Sequence, residues 1–166
     1  YSVTTNIKEN IEYLAKLGIE AQRHRYGLLD RLLRVLKKTS LGARFAARIG
    51  LTGGFEQKLK RQNVDLVYFV MPSATPSILQ DLNYIFTIWD LCHRDFPEFP
   101  EVRNSGVFHE RESIYRDYVG PACLVITESR QGTEAAVRRY GLDTERMLAM
   151  PLSEAPFLMN DHATCS

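Results

Sequence analysis

Asp90, His93, Arg94 and Asp95 crowd one short stretch, directly after the apolar run from Tyr84 to Trp89 and before Pro97 and Pro100. A carboxylate accepts hydrogen bonds from hydroxyls. An imidazole donates, accepts or exchanges a proton near neutral pH. A guanidinium suits a phosphate. Open α/β sheets build their binding crevices at the carboxyl ends of strands, so this cluster reads as a cleft edge. The structural alternative is a strand-end turn, with Asp90 capping backbone amides and His93 packed on Phe96. Zinc is disfavoured, because Cys92, His93 and His109 are too few ligands at unsuitable spacing. Asp95, Glu98 and Glu101 read as a surface turn before a cation site.

Other segments carry weaker signals. In Thr127-Glu-Ser-Arg-Gln-Gly132, Ser129 is a natural helix cap, and a helix start there can hold an anion or hydroxyl. Gly50-Leu-Thr-Gly-Gly54 lacks the lysine of a phosphate loop and follows a helix rather than a strand, so it reads as a linker. Arg23, Arg25, Arg31, Arg34, Lys37, Lys38, Arg44 and Arg48 form a basic stretch in which Asp30 is the lone acid. Such a helix suits an anionic membrane surface, with core packing and a solvated basic face as the alternative. No aromatic platform is interleaved with these cations, which speaks against nucleic acid. Glu110-Arg-Glu112 and Arg138-Arg139 read as solvated helix faces.

The elements that must position these residues follow from periodicity. Tyr1–Thr5 reads as a short strand, with Asn6 capping a helix that carries Ile7, Ile11, Leu14 and Leu17 on one face and ends at Gly18. Ile19–His24 is a weak strand. Leu28–Lys38 is an amphipathic helix with Leu28, Leu29, Leu32, Val35 and Leu36 on its apolar face, continued by Phe45–Ile49. Phe55–Gln62 is a further helix. From Asp65 the texture changes to apolar strands at 66–70, 84–89, 123–127 and 147–150. Helices at 107–119 and 130–140 separate them, and Gly141 takes the left-handed closing position. Apolar strands spaced by helices indicate a parallel sheet. The fold class is α/β: a Rossmann-like, open, mostly parallel sheet with helices on both faces. It spans residues 1–155, leaving 156–166 as a tail or linker.

Composition is that of a globular domain, with 45% hydrophobic and 25% charged residues among 166. No apolar run approaches the ~18 residues of a membrane span, and no cleavable leader is expected. The chain starts with Tyr, so a longer parent chain is expected. Cys92, Cys123 and Cys165 are odd in number and scattered, which disfavours a disulfide framework and fits a reducing compartment. The net charge of +1 hides an asymmetry: residues 1–62 carry 13 Lys/Arg against 5 Asp/Glu, and residues 63–166 carry 8 against 15. The basic part is expected to face phosphate, lipid or nucleic acid.

The stretch Thr87-Ile-Trp-Asp-Leu-Cys-His-Arg-Asp-Phe-Pro-Glu-Phe-Pro-Glu101 resembles a loop of family-4 glycosyltransferases. Arg111–Tyr115, Leu124–Ser129 and Arg139–Arg146, followed by Leu148–Pro151, resemble that family in the same order. The resemblance covers about residues 63 to 155. It implies the acceptor-binding, amino-terminal half of a GT-B enzyme that transfers a sugar with retention of configuration to a cell-surface polysaccharide or glycolipid. On that reading His93 and Asp90 are the catalytic candidates. Trp89, Arg94, Ser73, Glu128, Ser129 and Arg130 are substrate-binding, Arg94 favouring a phosphate. Arg31, Arg34, Lys37, Lys38, Arg44 and Arg48 face the membrane. The family often has His where this chain has Trp89, which stands either against a sugar ring or in the core. No metal or other cofactor is expected on this domain, and a nucleotide-sugar donor would be held by a missing carboxyl-terminal domain. The partners would be a sugar or lipid-linked acceptor, that missing domain and an anionic membrane surface, without nucleic acid. The expected location is cytoplasmic, peripheral on the inner face of the plasma membrane. The isolated chain is expected to be inactive. The rival readings are a non-catalytic membrane-docking or interaction domain and, last, a self-sufficient hydrolase, which lacks a Gly-x-Ser-x-Gly elbow.

Overall fold

The structure is a computed structural model that describes residues 3–5, 7–37, 39–103 and 106–151. Asn6 as a helix cap, Lys38, Cys165 and the 156–166 tail therefore lie outside the described residues. The chain forms two compact units. One holds the residues up to Asp65 together with Ser77–Leu82, and the other holds Leu66–Pro76 and the residues from Asn83 onward.

In the first unit, strand β1 (Val3–Thr5) pairs in parallel with β2 (Ala21–Arg23). Helix α1 (Lys8–Lys16) connects them and stops where Gly18 takes φ +72°, a conformation cheap only for glycine. Helices α2 (Leu28–Leu36), α3 (Ser40–Arg48) and α4 (Gly54–Arg61) follow. The expected continuation of α2 through residue 49 is thus a separate helix, begun by Thr39, whose hydroxyl accepts from the Gly42 amide at 3.1 Å. Asp30 is buried and ties α2 to α4. Its Oδ2 accepts from the Gly27 amide at 2.8 Å and its Oδ1 from the Phe55 amide at 3.0 Å, in the first turn of α4. A side chain at Gly53 would stand 2.3 Å from that Oδ1, so the glycine loop makes room for a carboxylate. Glu56 is also buried, accepting from the amides of Gln80, Asp81 and Leu82 at 2.7–3.0 Å.

The apolar face of α2 that the periodicity marks is largely exposed among the described residues. Leu33 is the fully buried residue, while Leu28, Leu32 and Val35 are 57–85% exposed. Leu41, Phe45 and Ile49 continue this exposed stripe along α3.

The second unit is an open, Rossmann-like α/β fold. Strands β3 (Leu66–Phe69), β4 (Asn83–Ile88), β5 (Leu124–Thr127) and β6 (Met147–Ala149) pair in that order, all parallel. Helices α5 (Cys92–Asp95) and α6 (Pro100–Arg103) follow β4 where a loop is expected from sequence. Helix α7 (Val107–Tyr118) leads into β5, and α8 (Arg130–Tyr140) leads into β6. Gly141 closes α8 at φ +63°.

Side chains alternate across a strand, so Tyr84, Phe86 and Ile88 share one face of β4. Phe86 meets Tyr115 of α7 edge-on, and Thr127 bonds Thr133 of α8 at 2.6 Å. The register sets Phe86 opposite Val125, which puts α7 and α8 on the same face. Leu66, Tyr68, Leu148 and Met150 belong to the opposite face and are exposed.

Among the described residues, no helix is long and apolar enough to cross a membrane. Cys92 and Cys123 are free and exposed.

Candidate active site at the carboxyl edge of the sheet

Beyond the carboxyl ends of β3 to β6 the backbone opens a cavity of about 310 Å³. Tyr68, Val70, Thr87, Trp89, Glu128 and Met150 are among the residues lining it. This is where an open parallel sheet offers a crevice, and the volume is that of a small-ligand site. Trp89 is half-exposed, and its indole Nε1 donates to the Val70 carbonyl at 2.8 Å, which fixes the ring against the end of β3. Thr87 Oγ1 donates to the Tyr68 hydroxyl at 3.3 Å.

Glu128 follows β5 directly. Ser129 Oγ donates to Glu128 Oε1 at 3.1 Å and accepts from the Gly132 amide at 3.0 Å, so one hydroxyl both caps α8 and orients the carboxylate. The helix start favours negative charge at this point. Glu128 Oε2 is buried with no hydrogen-bond partner among the described residues. A side chain on Gly132 would come within 2.5 Å of Oε1, so the glycine lets the carboxylate lie against the helix. Of the sequence candidates, Trp89 and Glu128 share the cavity, with Ser129 behind Glu128. Ser73 accepts from the Thr75 amide at 3.3 Å, shaping the turn after β3, and Arg130 is exposed on the first turn of α8.

The charged cluster after β4 is built differently. Asp90 Oδ1 accepts from the Cys92 amide and from Arg111 Nη1, both at 3.0 Å, so it caps a turn and holds an ion pair. His93 is fully buried. Its ring lies between Phe108 and Tyr115, with centroids 5.6 and 5.5 Å away, rather than on Phe96, which stacks on Phe99. Its Nε2 stands 3.3 Å from Glu112 Oε2. Burial holds the His93 pKa below its ordinary value, against the opposing pull of Glu112. His93, expected from sequence to handle a proton, is thus a fully buried packing residue in this arrangement.

Arg94, expected from sequence to favour a phosphate, is engaged by a carboxylate of the protein itself. Its Nε donates to Glu112 Oε2 at 2.7 Å and its Nη2 to Oε1, a bidentate pair, and it stacks over Tyr140 with Cζ 5.5 Å from the ring centroid. The Tyr140 hydroxyl adds a third donor group to Glu112 at 3.2 Å. These hydrogen bonds, Arg94 foremost, hold the Glu112 carboxyl well down, at about 2. Arg139 pairs with Asp95. Glu112 and Arg139, read from sequence as solvated, are therefore members of an internal network. Among the described residues no group of three His, Cys, Asp or Glu converges as a metal site.

The basic candidates Arg31, Arg34, Lys37, Arg44 and Arg48 all lie on α2, α3 or the turn between them. Lys37 Nζ donates to the Leu79 carbonyl at 3.0 Å, and burial lowers its pKa. No family model, curated protein or solved structure matches this chain.

Proposed function

We propose that this chain is the acceptor-binding part of a retaining sugar transferase, and that its sugar site is the cavity between Trp89 and Glu128. The reading rests on the family-4 resemblance of residues 63 to 155. The observation that carries it is the buried Glu128 Oε2, which has no hydrogen-bond partner among the described residues, on a side chain that lines an apolar, aromatic-walled crevice. A sugar presents the complementary surface: a C–H face to lie on the Trp89 and Tyr68 rings, and hydroxyls to donate to a carboxylate. Glu128 accepts a hydroxyl and Trp89 orients the ring, while the Glu112 network keeps the loop after β4 in place. The donor nucleotide-sugar would be held by another domain.

Trp89 is the single tryptophan of the chain, so its emission reports the cavity directly. A panel of methyl glycosides titrated against the protein is expected to include at least one that shifts the emission saturably. Glu128→Gln should weaken it by about tenfold, the scale of one hydrogen bond to a charged group. A flat response across the panel, or equal binding by Glu128→Gln, would remove the reading.

The second reading, a membrane-docking domain, is supported by the exposed stripe of Leu28, Leu32, Val35, Leu41, Phe45 and Ile49 beside Arg31, Arg44 and Arg48. Apolar residues rimmed by cations suit an anionic lipid interface, each charge adding about 1 kcal/mol.

A further inference from the structure

The arginines of the first unit do more than decorate a surface. Arg23, at the end of β2, and Arg25, Arg31 and Arg34 converge on one cavity of about 500 Å³, with His24 and Tyr26 in its wall. None of the four guanidiniums forms an ion pair with a carboxylate among the described residues. Asp30 also borders the cavity, but both of its oxygens are engaged by the Gly27 and Phe55 amides. Four like charges around one concave space repel one another unless an anion joins them.

The wall is partly organised in advance. Arg34 lies over the Tyr26 ring, its Cζ 5.3 Å from the centroid. Tyr26 in turn packs edge-on with His24 and Phe55, at centroid distances of 5.2 and 5.9 Å. His24 Nε2 is buried without a hydrogen-bond partner among the described residues. An aromatic support fixes the plane of a guanidinium, and a fixed plane favours bidentate recognition of phosphate oxygens. The space exceeds what one small inorganic anion fills and lies in the range of small-ligand sites.

We propose that this cavity binds a ligand bearing a diphosphate, or two neighbouring phosphate groups, held by Arg23, Arg25, Arg31 and Arg34. The proposal stands apart from the sugar site, since it uses none of its residues. The phosphates could belong to a soluble molecule or to a lipid headgroup, and the experiment separates these sources.

Inorganic pyrophosphate is titrated calorimetrically into the protein, and then into Arg25→Ala, Arg34→Ala and Arg61→Ala. Arg61 is on α4 and does not line the cavity. Saturable binding is expected, weakened at least about tenfold by Arg25→Ala or Arg34→Ala and unchanged by Arg61→Ala. Thermal melts of the variants confirm that each is folded. Arg34→Lys, which keeps the charge but not the fork, should fall between wild type and Arg34→Ala. Phosphatidylglycerol vesicles that compete with pyrophosphate identify a lipid headgroup as the source; vesicles that do not compete identify a soluble ligand. Absence of saturable pyrophosphate binding, or an equal loss in Arg61→Ala, overturns the proposal and leaves only a diffuse basic surface.

Discussion

Two arginine-rich clusters of this chain face opposite circumstances. In the cluster around Glu112, each arginine has a carboxylate: Arg94 has Glu112, Arg111 has Asp90 and Arg139 has Asp95. Around the first-unit cavity, Arg23, Arg25, Arg31 and Arg34 have none among the described residues. The same residue type is committed to the fold in one place and left available in the other. A charge already satisfied within the protein has little to offer a ligand, because a new contact must first break the old one. The charged cluster that stands out in the sequence is therefore chiefly architectural, and the basic stretch is the better place to look for an anion.

The sharpest way to test that contrast is Glu112→Ala, which strands Arg94, His93 and Tyr140 at once. Glu112 is mostly buried while Arg94 is about one-third exposed, so breaking the network should cost about 3 kcal/mol, the low end for buried pairs. For a chain of this length that is roughly 6 to 12 °C in Tm, read by a thermal melt. If the melt is unchanged, the network does not hold the loop after β4.

A smaller effect is expected from acid. Glu112 has a folded pKa below its unfolded one, so its stabilisation is complete above the ordinary carboxylate value of 4.5 and is lost as pH falls toward about 2. His93, also held below its ordinary value of 6.5, adds a loss that begins as pH drops below 6.5, because the unfolded imidazole protonates first. Urea midpoints measured from pH 7 downward should decline in two stages. In Glu112→Ala the lower stage should shrink.

The smallest effect belongs to the unpaired cluster. Arg25→Ala should change stability by less than about 0.5 kcal/mol, because no ion pair is lost. A slight gain is expected at low salt as like-charge repulsion is relieved, and it should fade at high salt. A loss comparable to that of Glu112→Ala would erase the distinction between the clusters.

Much of this architecture is legible in the chain. The strands β3 to β6 stand out because Leu66–Val70, Tyr84–Trp89, Cys123–Thr127 and Met147–Met150 are short apolar runs set apart by helical spacing. The change in texture at Asp65 falls at the border of the two units. Ser129 reads as a cap and is one. Helices α5 and α6 are hidden, since four residues are too few for a helical period and the nearby prolines argue for a loop. Glu112 is hidden for another reason. Its flanking charges suggest a solvated face, and its partners Arg94 and Tyr140 lie 18 and 28 residues away. The apolar face of α2 is visible, but a helical period cannot say whether anything covers it. Only the structure separates buried Leu33 from exposed Leu28, Leu32 and Val35.

That uncovered stripe also governs how the protein behaves in a column. Hydrophobic adsorption strengthens as salt rises, while adsorption through the arginines weakens. The molecule should therefore cling to a phenyl matrix in concentrated ammonium sulfate and to a sulfonate matrix in dilute buffer, eluting from each under the condition that loads the other. Replacing Leu32 and Phe45 with Ser should abolish only the first of these retentions.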